Sequence, residues 1–121
     1  MEEGRLANKV AVVTGGGNGI GRSTAMRFAQ EGAAVVVADI QKEKAEETVS
    51  MIIDSGGLAQ SIRVDVTSGS DNEDMAQLAV ENFGGLDCLV TAAGISHANY
   101  VSGDIEPDIK NIVSSRLEYL E

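Results

Sequence analysis

Two short apolar runs set the pattern of the chain. Val10-Ala11-Val12-Val13 stops at Thr14, and Ala34-Val35-Val36-Val37-Ala38 stops at Asp39. Unbroken runs of this length, rich in β-branched residues, predict strands buried on both faces. Between them residues 18–31 predict a helix, with Ala25, Phe28 and Ala29 inward and Gly32 placed as its C-terminal stop. Lys42 to Ser55 predicts a second helix, because Ala45, Val49, Ile52 and Ile53 recur at i, i+4, i+7 and i+8. Gly56-Gly57 ends it. Alternation then replaces helical spacing in Ser61-Ile62-Arg63-Val64-Asp65-Val66, which predicts a third strand nearer the sheet edge. Ser70 with Glu73 three residues on predicts a capping box for a helix carrying Met75, Leu78, Ala79 and Phe83. Gly84-Gly85 closes that helix, and Leu86 to Ala92 predicts a fourth strand.

After Gly94 the pattern dissolves into a polar stretch, Ile95 to Asp104. Pro107 then opens an expected last helix with the stripe Ile109, Ile112, Val113, Leu117 and Leu120. Strands alternating with helices predict an α/β fold: a doubly wound parallel sheet with right-handed crossovers. No repeat, low-complexity tract or linker interrupts the chain, so residues 1–121 read as a single domain.

Composition narrows the chemistry. Aromatic residues make up only 3%, so the core must come from Val, Ile, Leu, Ala and Met. A net charge of −10 leaves no cationic surface for nucleic acid. The apolar stretch Ala33 to Ala38 is far short of the ~20 residues of a membrane span. The acidic start, Met1-Glu2-Glu3, is not a secretory signal. A lone cysteine, Cys88, cannot form an internal disulfide, which suits a reducing, cytoplasmic setting and a core role for its side chain. The one histidine, His97, has no Cys or carboxylate partners at ligand spacing, so no metal site is expected.

The 14 glycines are clustered, and the densest cluster carries chemistry. Thr14-Gly15-Gly16-Gly17-Asn18-Gly19-Ile20-Gly21 joins the first strand to the first helix. A phosphate can approach the amides and positive dipole of a helix N-terminus when no Cβ stands in the way. A tight turn without a ligand is the plainer reading, but a turn alone does not need five glycines in seven positions. Gly16-x-x-x-x-Gly21-Arg22-Ser23 also fits a triphosphate-binding loop with Arg in place of the Lys that template needs. Asp39 follows Gly21 by 18 residues, close to the ~20 at which a carboxylate meets the ribose of a dinucleotide. There it accepts from the 2′- and 3′-hydroxyls of NAD and repels the 2′-phosphate of NADP. Its plainer reading is a strand-end cap for the next helix.

With these residues the chain resembles the coenzyme half of the short-chain dehydrogenase/reductase family. The resemblance rests on Thr14 to Gly21, Ala38-Asp39, Asp65-Val66 and Ala93-Gly94, and spans about residues 5 to 94. It implies a Rossmann-like sheet of about four strands in the order 3-2-1-4. Gly15, Gly19 and Gly21 would shape the pyrophosphate site, with Asn18 and Ile20 beside it. Asp39, with Ile40 next to it, would select NAD. Asn18 points the same way, standing where NADP-preferring members often carry a basic residue. Asp65 would bond the adenine amino group and the Val66 amide a ring nitrogen, while Ala92, Ala93 and Gly94 would let the cofactor approach.

Thr91-Ala92-Ala93-Gly94 departs from the family's Asn-Asn-Ala-Gly, and the catalytic Tyr-x-x-x-Lys pair is absent. Tyr100 is followed by Asp104 at the lysine position, and Tyr119 stands two residues from the end. Ser96, Ser102, Ser114 and Ser115 come too early for the family's serine, and Asn111 lacks the family context of its asparagine. No catalytic residue is therefore assigned. The resemblance implies the NAD-binding portion of a dehydrogenase, ending before the catalytic half and inactive alone. The parent reaction would move hydride between NAD(H) and a small alcohol or carbonyl compound. A non-catalytic nucleotide-binding or regulatory module is the alternative. With its fourth strand left as an edge, the chain is expected to form homo-oligomers or aggregate.

Overall fold

The protein is seen in a computed structural model that describes residues 4–93. The elements are β1 (Val10–Thr14), α1 (Gly19–Gln30), β2 (Ala34–Asp39), α2 (Lys42–Asp54), β3 (Leu58–Arg63), α3 (Gly69–Phe83) and β4 (Cys88–Thr91). They build one four-stranded sheet in the order β3-β2-β1-β4, every pairing parallel. The expected last helix, His97 and Gly94 lie outside the described residues. Among the described residues no helix is long and apolar enough to cross a membrane.

The two apolar runs become the central strands because successive side chains feed opposite layers. Val10, Val12, Val36 and Ala38 pack under α3, against Met75 and Ala79. Val13, Val35 and Val37 pack under α1 and α2, against Ala25, Ala45 and Ile52. Val12, Val13, Val35, Val36 and Val37 are all fully buried. Each contributes about 1.5–3 kcal/mol of transfer free energy, far more than any local propensity could. Helix α1 is capped by Asn18, whose side chain accepts from the Gly19 amide, and it is followed by Gly32 at φ +98°.

Five expectations shift. The third strand runs Leu58–Arg63 rather than from Ser61 to Val66. Arg63 pairs with Asp39, the last residue of β2, so Asp65 and Val66 have no ladder partner and turn away. Val64 still packs under α3, which accounts for the alternation seen in the sequence. The cap of α3 is Ser68, whose hydroxyl accepts from the Asp71 amide at 3.3 Å, so Ser70 and Glu73 fall inside the helix. On α2, Ile53 is 54% exposed and Thr48 is buried in its stead. Eight residues along a helix place Ile53 about 80° from Ala45, at the margin of the apolar face.

Strand β4 is shorter than Leu86 to Ala92 because Asp87 caps its start. The Asp87 carboxylate accepts from the Val10 amide at 2.8 Å, and the Asp87 amide donates to the Val10 carbonyl at 2.8 Å. The Cys88 side chain there is half-buried rather than a core residue.

Candidate functional site

Parallel strands open all their carboxyl ends on one rim. From β1 the chain moves outward through β2 to β3, then returns across the sheet to β4. Connections diverge at such a reversal and leave a crevice between them. A cleft of about 340 Å³ lies at this point. Thr14, Ala38 and Asp39 reach it from the ends of β1 and β2, and Gly15, Asn18 and Gly19 from the loop that follows β1. Ile40, Val64, Val66, Ala92 and Ala93 complete its walls.

The loop is held by the end of β2. The Gly16 amide donates to the Ala38 carbonyl at 3.1 Å and the Gly17 amide to Asp39 Oδ2 at 3.0 Å. Gln41 donates its amide to Asp39 Oδ1 at 2.9 Å. Asp39 therefore holds the turn before α2 and also grips the glycine loop. The N-cap of α2 is Gln41, with no side-chain cap bond, so the plainer reading of Asp39 as a helix cap is not met. Asn18 Oδ1 takes the Gly19 amide at 2.9 Å, leaving the next first-turn donors of α1 without intrahelical acceptors. Helix dipole and donors together make that end attractive to an anion.

The loop glycines divide by what surrounds them. A Cβ on Gly21 would overlap the Gly15 carbonyl oxygen. One on Gly15 would stand 2.7 Å from the Ala93 amide nitrogen, and one on Gly17 2.6 Å from Lys44 Cβ. These glycines are required by the packing of the loop itself. Gly19 differs: at φ +52° a Cβ there would meet nothing within 4 Å. It leaves open space over the α1 N-terminus that no packing demands.

Of the residues expected at the site, Gly15, Asn18, Gly19, Asp39, Ile40, Val66, Ala92 and Ala93 line the cleft together. Gly21 is buried behind the loop, and Ile20 is 81% exposed outside the lining. Asp65 is also outside it. Its Oδ1 accepts from the Thr67 hydroxyl at 2.6 Å and the Thr67 amide at 2.9 Å, which holds its carboxyl below the usual range. The sequence reading did not place Thr14, Ala38 and Val64 in the lining, since as strand residues they carry no signal beyond apolarity or strand position.

Arg22 decides between phosphate-loop readings. Its guanidinium turns to α2, donating to Glu47 Oε2 at 2.9 Å and to Thr48 Oγ1 at 2.9 Å. The hydrogen bond from Arg22 holds the Glu47 carboxyl below its ordinary value. A cation engaged there does not take the place of the triphosphate-loop lysine. Among the described residues no group of three or more His, Cys, Asp or Glu is set to hold a metal ion.

Comparison with known proteins agrees with this architecture. A family model for short chain dehydrogenases matches residues 9–117. A 2,5-dichloro-2,5-cyclohexadiene-1,4-diol dehydrogenase of Sphingobium indicum is 48% identical over 93 residues, covering 77% of this chain and 37% of that protein. A short-chain dehydrogenase/reductase homolog of Bacillus subtilis is 47% identical over 92 residues, covering 75% of this chain and 84% of the homolog. Among solved structures, a 7α-hydroxysteroid dehydrogenase complexed with NADH and 7-oxo-glycochenodeoxycholic acid superposes with a TM-score of 0.76 at 37% identity. That superposition covers 88% of this chain and 41% of the enzyme. The chain thus spans under half the length of these two dehydrogenases and most of the length of the Bacillus homolog. With the glycine loop, the sheet order and these matches in agreement, the chain belongs to the short-chain dehydrogenase family.

Proposed function

We propose that this chain is the cofactor-binding portion of a nicotinamide-dependent oxidoreductase and that it takes NAD(H) in preference to NADP(H). The observation that carries the reading is Asp39, fixed at the cleft edge by two backbone amides beside the open N-terminus of α1. The residues present suit the group. Gly19 and the first turn of α1 would receive the pyrophosphate, Asp39 the adenosine ribose, and Ile40 and Val66 the adenine. Ala92 and Ala93, with Gly94 beyond the described residues, would border the nicotinamide half. Asp65 is kept in the reading as an adenine contact through the family resemblance.

The nicotinamide, when bound, supplies hydride transfer to or from the carbon of an alcohol or carbonyl substrate. What the chain itself does is bind, orient and select, and no residue of it is proposed for the accompanying proton transfer. Calorimetric titration with NAD and NADP tests the reading. NAD should bind at least about tenfold more tightly, since a 2′-phosphate beside the Asp39 carboxylate meets like charge. Equal or tighter NADP binding would overturn it.

Association through the β4 edge belongs to the same proposal. Among the described residues strand β4 borders the sheet, and Leu86 and Leu89 at it are 41% and 55% exposed. Unpaired strand donors and acceptors beside apolar side chains favour pairing with a second chain. The net charge of −10 opposes this at low salt, and screening should relieve it. Sedimentation velocity should therefore show larger species as ionic strength rises, and a monomer at every salt concentration would contradict the idea.

A further inference from the structure

We infer that Thr48 of α2 is a positioning residue for the glycine loop, and through it for the pyrophosphate of the dinucleotide; the second half of this rests on the reading above. Thr48 is fully buried, although it stands in the middle of a helix. A threonine in that position commonly returns its hydroxyl to the carbonyl four residues back. Here that contact, to the Lys44 carbonyl, is 3.3 Å, while the hydroxyl lies 2.8 Å from the Gly16 carbonyl in the loop.

The direction of the bond is set by Arg22. Its Nε lies 2.9 Å from Thr48 Oγ1 and can only donate. The single hydroxyl proton must therefore go to a carbonyl, and the shorter contact assigns it to Gly16. Arg22 is in turn held by Glu47 at 2.9 Å, so the donor that orients Thr48 is anchored on the same helix.

The consequence lies in one peptide group. The Gly16 carbonyl and the Gly17 N–H belong to the same planar unit. Thr48 holds its oxygen, and Asp39 Oδ2 holds its N–H at 3.0 Å. A peptide clamped at both ends has no freedom to rotate, and Asn18 and Gly19 leave the loop in the direction it dictates. Gly17 is the residue at which this peptide presses on α2, leaving no space for a side chain. Helix α2 thus acts on the cleft without reaching it: Thr48 is not among the lining residues.

The test compares Thr48→Val, which keeps shape and loses the hydroxyl, with Thr48→Ser, which keeps the hydroxyl. Two readouts are taken on the full chain: the amide resonance of Gly17 and the dissociation constant of NADH measured by its fluorescence. Thr48→Val should move the Gly17 resonance and weaken NADH about tenfold, the loss expected for one buried hydrogen bond. Thr48→Ser should restore both to near the parent. If serine fails as badly as valine, the role is packing, and the inference falls. An unmoved Gly17 resonance in a folded Thr48→Val chain also overturns it. Should Thr48→Val not fold, Arg22→Met keeps the length of the side chain and removes the donor that aims the hydroxyl. It should shift the same resonance, and no shift would count against the inference. If the parent binds no NADH, the cofactor reading fails by itself, while the Gly17 resonance still decides whether Thr48 positions the loop.

Discussion

Gly19→Val is expected to abolish NAD(H) binding while leaving helical circular dichroism intact, whereas Gly21→Val is expected to destabilise the fold itself. The two glycines are two residues apart in one loop, yet their surroundings are opposite. A side chain on Gly19 enters open space above the α1 N-terminus and meets no atom within 4 Å. Its cost to folding is the φ of +52°, about 1–2 kcal/mol for a residue with a Cβ, and larger for a β-branched one. That is a modest fraction of an ordinary domain stability of about 5–15 kcal/mol. The same branched side chain would occupy the approach to the first-turn amides, where the pyrophosphate is proposed to sit.

On Gly21 the Cβ would overlap the Gly15 carbonyl oxygen and crowd its carbon at 2.6 Å. Both are backbone atoms, and neither can rotate aside. The loop would have to lift off α1, which should lower the melting temperature by about 10 °C or more. Thermal unfolding followed by circular dichroism, with a fluorescence titration of NADH, separates the two outcomes. A Gly19→Val chain that binds NADH like its parent would reduce the loop to a turn. A Gly21→Val chain that melts with its parent would show the contact with Gly15 to be relieved cheaply.

That contrast marks the limit of what the glycine cluster reveals in sequence. The spacing Gly15-x-x-x-Gly19-x-Gly21 marks the candidate site in the sequence, because so many missing Cβ atoms beside a strand end signal a backbone that must be approached closely. Which glycine serves the ligand and which serves the loop depends on atoms brought in from Ala93 and Lys44, far away in sequence. The strands are legible for a similar reason. Val35, Val36 and Val37 admit only an environment buried on both faces, so the sheet's centre follows from the run itself. At the edge the rule weakens. The alternation from Ser61 to Val66 follows the packing of Ile62 and Val64 in the layer under α3 and runs past the ladder, which ends at Arg63 where β2 ends. Thr48 did leave a trace: Ala45, Thr48, Val49 and Ile52 recur at i, i+3, i+4 and i+7, placing one polar residue within an apolar stripe. A polar residue there must find a partner inside the protein.

Substitution of Asp39 is expected to change cofactor preference and loop order together, and two variants separate these effects. The carboxylate accepts from the Gly17 amide at 3.0 Å and from the Gln41 amide at 2.9 Å. An ionised carboxylate has about four lone-pair sites, so two bonds to the backbone leave acceptors for two ribose hydroxyls. Asp39→Asn removes the charge, keeps the shape and retains one acceptor oxygen, so at most one of the backbone bonds survives directly. Asp39→Ala removes both and leaves the Gly17 N–H unpaired. In both variants the advantage of NAD over NADP should shrink about tenfold or more, because the repulsion on a 2′-phosphate is gone. The alanine variant should also weaken every pyrophosphate-containing ligand and lower the melting temperature by about 5 °C, the effect of losing a part-buried hydrogen-bond acceptor, and the asparagine variant, which keeps one acceptor oxygen, should do so less. Parallel titrations with NAD, NADP and ADP-ribose, with melting curves, give all of these readings. If the NAD-to-NADP ratio stays at the parental value in both variants, Asp39 braces the loop and the turn into α2 and does nothing to select the cofactor.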